Sequence, residues 1–174
     1  MPDERNDWAD GFARQSASDF AVYQHLVIQP GIPACHALHF LQMACEKLAK
    51  AYRFRDVSMS IEDIQTTHVA FSKLVDQIVM SADFRKRYAG KAAQLREVLR
   101  SSRLLAREIE KLAPAVDKEA TPANTEYPWF DGRLVRAPCD YTFQVQAQLN
   151  MPDGRNFQKV ISTSINDFAA ISGS

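Results

Sequence analysis

Glycine is scarce in this chain, six residues in 174, and none is spaced as Gly-x-Gly-x-x-Gly or as a phosphate-cradling P-loop. Nucleotide hydrolysis through such a loop is not expected. Cysteine is scarcer still. Cys35, Cys45 and Cys139 make no even-numbered disulfide framework, and the first two share what reads as one helix, about 15 Å apart along its axis, too far to bridge. A reducing compartment fits that usage. Nowhere do about 18 apolar residues run together, and the acidic opening MPDERNDWAD lacks the apolar centre of a signal peptide. A cytoplasmic protein with no membrane association is the expectation. Net charge is absent too, with 21 Lys and Arg against 21 Asp and Glu, so no global field favours a polyanion. Locally the balance differs: Asp3, Glu4, Asp7, Asp10 and Asp19 face only Arg5 and Arg14 before residue 30, whereas residues 85–118 are strongly basic.

What the chain has is helical periodicity. In ACHALHFLQMACEKLAKAYR, residues 34–53, the polar positions His36, His39, Gln42, Glu46, Lys47, Lys50 and Arg53 fall within an arc of roughly 140°. The other 220° or so is apolar or small, well beyond the stripe of about 100° that a peripheral helix needs. This segment is therefore expected to be a central helix with neighbours on three sides. Before it, Trp8, Phe12, Ala13, Phe20, Tyr23, Leu26 and Val27 share one side of an amphipathic helix that Gly11 could fray, and QPGIP makes a stiff connection favouring an antiparallel neighbour.

After it, Ser60 and Asp63 have capping-box spacing for a single helical turn, and a further helix is expected to begin near Thr67, capped by Thr66 or Thr67, with Phe71, Leu74, Val75, Ile78 and Val79 inward. Residues 83–113 continue as helix, with a break at Gly90 and a stop at Pro114. Residues 114–132 have no period and read as a long loop. In the tail, Tyr141, Phe143, Val145, Ala147 and Leu149 alternate with Thr142, Gln144, Gln146 and Gln148, which predicts a strand of a small β-hairpin. MPDG reads as a turn, and Phe157, Val160, Ile161, Ile165, Phe168 and Ile171 spell a terminal helix. The helical part spans 1–113, and 114–174 is a loop, hairpin and helix packed on it, one domain overall.

Four clusters carry candidate chemistry. His36 and His39, three apart, could share a metal with Glu46 on the same face, or could simply hydrogen-bond to neighbouring helices. Glu46 and Lys50 have the spacing of an intrahelical ion pair, or of a buried pair fixing dimer register. Arg96, Arg100, Arg103, Arg107 and Lys111 form a basic stripe suited to phosphates or an acidic partner, although Glu97, Glu108 and Glu110 interrupt it and a solvated helix face would look alike. Asn124, Glu126, Tyr127, Pro128 and Trp129 could form a recognition surface or a lid tucked on the core. None of these demands a cofactor or a metal centre.

The segment LQMACEKLAKAY followed by THVAFSKLV resembles the HEPN superfamily, whose second helix commonly reads Q-x-x-x-E-K-x-x-K-A and whose third opens on Thr-His. Here the corresponding residues are Gln42, Glu46, Lys47, Lys50 and Ala51, then Thr67 and His68. The resemblance covers residues 8–113. It implies an all-α, up-and-down four-helix bundle, often a homodimer, in prokaryotic toxin–antitoxin, defence or nucleotidyltransferase-associated systems. Ribonuclease members carry an Arg followed after four to six residues by His. This chain has no such pair, because Arg14 to His25 and Arg55 to His68 are both too far apart. The expectation is a non-catalytic module binding a nucleic acid such as RNA, a nucleotide or a protein partner. The alternative is a divergent ribonuclease or metal-dependent hydrolase using His36, His39 or His68 with Glu46.

Overall fold

The computed structural model describes residues 4–68 and 70–172, excluding the side chains of residues 82, 83 and 169–172. The expected inward Ile171 lies outside the described side chains. The described chain is mostly helical. Helix α1 spans Glu4–Leu26, with Glu4 and Asp7 placed where the positive end of the helix favours acid. Gly11 does not fray it, since helix continues on both sides. A turn with Gly31 at φ 81° leads to α2, Ala34–Phe54. The two helices run antiparallel, as contacts from Arg5 to Phe54 and from Ser16 to Ala44 require.

Helix α2 is the centre of the molecule. Leu38, Leu41, Ala44 and Leu48 are fully buried, and α2 packs against α1, α3 (Ile61–Thr66), α4 (Phe71–Met80), α6 (Ala92–Glu110), α8 (Pro152–Ser172) and a 3₁₀ turn at Pro138–Asp140. Its polar stripe is narrower than expected, because Gln42 and Lys50 are buried as well.

The Ser60 hydroxyl accepts the Asp63 amide at 3.1 Å and starts α3 as its spacing predicts. Thr66 and Thr67 do not cap the next helix. Their hydroxyls donate back to Glu62 and Asp63 carbonyls and close α3 instead. Helix α4 starts at Phe71, where the buried Glu110 accepts the Ser72 amide at 2.9 Å, so an acid from α6 does the work expected of a threonine. All five expected inward residues of α4 are buried. Gly90, at φ 74°, separates α5 (Ala82–Lys86) from α6 as expected. A second, smaller core of Ala9, Ala51, Phe54, Ile64 and Phe168 forms where α1, α2, α3 and α8 meet.

The strand expected over residues 141–149 is not there. Gln144–Leu149 is helix α7, which buries Val145 and Leu149 one turn apart, while Tyr141 and Phe143 meet edge to face ahead of it. A lone strand would have left its amides without a partner edge, and a helical turn satisfies them locally, as Gln146 N–H to the Phe143 carbonyl shows. The hairpin exists upstream: β1, Trp129–Phe130, pairs antiparallel with β2, Val135–Arg136. Asp131 makes its turn, accepting the Arg133 and Leu134 amides and Arg136 Nε. MPDG is no free turn either. Pro152 sits at the first position of α8, where its missing N–H costs nothing. Helix α8 then returns to touch α1, α2, α4, α6 and α7. Among the described residues no helix is long and apolar enough to cross a membrane.

Candidate functional site

The three α2 residues Gln42, Glu46 and Lys50 recur every four positions, so they stack along one side of the helix. Glu46 is their centre. Its Oε1 lies 2.9 Å from Lys50 Nζ and 3.2 Å from His68 Nδ1, and its Oε2 accepts Gln42 Nε2 at 3.0 Å. Lys50 Nζ also donates to the Gln65 carbonyl at 2.9 Å and stands 5.8 Å from the Phe12 ring centre. The link between α3 and α4 thus folds over the stripe and brings His68 to it. Burial pushes the Glu46 carboxyl up, but Lys50, the Gln42 amide and His68 together bring it below its ordinary value. A carboxylate so held stays ionised at neutral pH and is not tuned to exchange a proton there. Only His68, 45% exposed, gives the network an accessible edge.

On the other flank Lys47 pairs with the nearly buried Asp19 at 2.6 Å, and Gln15 donates to the same carboxylate at 2.9 Å. The sequence puts Lys47 on the polar face of α2 and does not show this partner. The i, i+4 spacing of Gln15 and Asp19 on α1 was the available signal.

The other candidates separate from this network. His36 is exposed, whereas His39 is half-buried with Nδ1 3.8 Å from Glu126 Oε1 and without a hydrogen bond. The two histidines do not gather with Glu46 and His68 into one centre. Among the described residues no three His, Cys, Asp or Glu side chains are grouped to hold a metal ion.

The basic stripe runs down the outer face of α6, but three of its five members are occupied locally. Arg100 pairs with Glu97, Arg103 with Asp76 of α4, and Lys111 with Glu108 at 3.1 Å. The Arg100 guanidinium holds the Glu97 carboxyl below its usual value. Arg96 and Arg107 have no ion-pair partner among the described residues.

The aromatic loop divides in two. Asn124 Oδ1 accepts the Glu126 and Tyr127 amides at 2.9 and 2.7 Å, setting the turn that sends Trp129 inward against Tyr141 at 5.0 Å between ring centres. Tyr127 and Phe130 point out, 61% and 62% exposed, joined by Leu134 and Val135 of the hairpin. Those last three are not among the expected site residues, although Asp131-Gly132 between apolar residues is the standard hairpin signal. Comparison of the chain with family models, with curated proteins and with solved structures gives no match.

Proposed function

We propose that this chain is a non-catalytic, HEPN-like helical module of the up-and-down four-helix kind, acting in a prokaryotic defence or toxin–antitoxin-type setting by binding protein, in the first place a second copy of itself. The observation that carries the reading is the outward face of the hairpin. Phe130, Leu134 and Val135, with Tyr127 beside them, expose four large apolar side chains within nine residues, where a lone soluble surface scatters such residues singly. In the described sheet of two strands each strand also keeps one open edge, which a second hairpin can pair by symmetry. The HEPN-like reading is supported by the meeting of Gln42, Glu46, Lys50 and His68, the residues that carry the resemblance, in one network. A binding role without catalysis is supported by the full engagement of the Glu46 carboxylate and by the missing Arg–His pair.

Sedimentation velocity tests it. The wild type is expected to be a dimer and a Phe130→Asp, Val135→Asp double variant a folded monomer. A wild type that stays monomeric at high concentration, or a double variant that stays dimeric, overturns the hairpin interface.

A second reading has Arg96 and Arg107 in its favour, because unpaired guanidinium groups on one helix face suit phosphates. Labelled RNA titrated against salt decides it: negligible affinity at low ionic strength removes polyanion binding.

A further inference from the structure

Arg87, just past α5, Lys91 at the start of α6 and Lys159 in the middle of α8 line one cleft of about 200 Å³. Gln94, Asn156 and Thr163 complete its polar wall, and among the described residues no carboxylate lines it. Three like charges brought to one concave surface repel one another, and the low-dielectric walls of a cleft strengthen that field. On the neighbouring face of α6 three exposed cations, Arg100, Arg103 and Lys111, are matched by nearby acids. Here the Lys91 and Lys159 side chains have no hydrogen-bond or ion-pair partner among the described residues. Only Arg87 is anchored: its Nη1 donates to Thr163 Oγ1 at 2.9 Å and its Nη2 meets Asp167 at 3.3 Å. Those two contacts fix the guanidinium plane against α8 and leave further N–H groups of the fork to give.

The cleft therefore presents charged donors and, among the described residues, no lining carboxylate, with a fixed guanidinium and two unpaired ammonium groups. Lys91 is also the N-cap residue of α6 and its side chain makes no cap bond, so the positive end of a 19-residue helix adds to the same field. The chemistry that satisfies such a set is a multiply charged oxyanion. The size limits it to a group rather than a whole ligand, being below the range of about 300 Å³ where small-molecule pockets begin. Tyr88, its ring stacked on Phe84 at 5.4 Å, lines this cleft and also a broader one of about 500 Å³ bordered by Arg85, Ala89 and Leu95. A ligand with its phosphate beside Lys159 has room for the rest of its body across Tyr88.

We propose that the cleft between the α5–α6 turn and α8 binds the terminal phosphate of a small phosphorylated ligand of nucleotide size, with Arg87, Lys91 and Lys159 as its anion ligands. The proposal is independent of the hairpin interface, and neither needs the other. The probes are inorganic phosphate and adenosine diphosphate, titrated into the full chain by calorimetry and by thermal shift in chloride buffer. Both are expected to bind and to raise Tm, with the nucleotide tighter than phosphate alone. A Lys91→Ala, Lys159→Ala double variant is expected to bind roughly tenfold or more weakly, while its Tm without phosphate equals or exceeds that of the wild type because like charges have been removed. Equal binding by wild type and variant, or no thermal response to either probe, overturns the proposal. So does a 5′-hydroxyl oligoribonucleotide that binds more tightly than adenosine diphosphate and loses its affinity in the double variant, since that assigns the cleft to a phosphodiester backbone.

Discussion

Glu46 gives up most of its hydration at the α2 surface and recovers the loss from Lys50, Gln42 and His68. Its lowered folded-state value has a definite sign for stability. The contribution is complete above the unfolded carboxyl value, about 4.3, and disappears as pH falls through the lower folded value. Glu46→Gln removes that contribution and takes from Lys50 its ionic partner, leaving a buried cation with neutral acceptors such as the Gln65 carbonyl, so we expect a loss of about 3 kcal/mol at neutral pH and a flatter acid limb, read by denaturant melts between neutral and acid pH. A variant as stable as wild type at neutral pH contradicts this.

Gly154 is the other decisive single residue. It lies in the first turn of α8, and a Cβ there would overlap the Leu149 Cα, C and O atoms, backbone that cannot swing aside. Gly154→Ala is expected to cost about 3 kcal/mol or more, seen as a lowered Tm, whereas Gly11→Ala, with open space around it, should not destabilise. At this scale the sequence was partly readable. Four-residue spacing alone aligns Gln42, Glu46 and Lys50, but the arrival of His68 depends on how α3 and its two threonines close, which no local spacing reveals.

Among elements, α2 owes its definition to both its own composition and its neighbours' side chains. Its C-terminal end is held by Arg5 of α1, whose guanidinium donates to the Phe54 and Asp56 carbonyls at 3.1 and 3.0 Å and also to Met59. A cation there opposes the negative end of the helix and joins the first turn of α1 to the α2–α3 link. Arg5→Ala is expected to speed amide hydrogen exchange across residues 54–60 while leaving the middle of α2 protected, with a global cost of about 1.5 kcal/mol. Uniform protection in the variant contradicts it.

The helices α1, α2, α4 and α6 were legible because each carries a long apolar face with period near 3.6. Helix α7 was not. With only Val145 and Leu149 inward, its six residues are too short to show that period, and Tyr141 and Phe143, which belong to the Trp129 cluster, completed a false alternation.

At the scale of the whole molecule, α8 makes the carboxy-terminal third part of the core rather than an appendage, since Phe157 and Ile161 are fully buried among earlier helices. Contacts between segments so far apart are what the sequence could not display. The basic cleft is an example, because Lys159 joins Arg87 and Lys91 only once α8 has folded back over α6. If two copies meet through their hairpins, stability belongs to the pair: Tm should rise with protein concentration for the wild type and be independent of it for the Phe130→Asp, Val135→Asp variant.

Of the three thiols, Cys35 and Cys45 are enclosed by α2's neighbours, whereas Cys139 sits exposed in the 3₁₀ turn two residues before Tyr141. A maleimide dye added to native protein should therefore mark a single position without any engineered cysteine, and its emission would report on whatever approaches that turn.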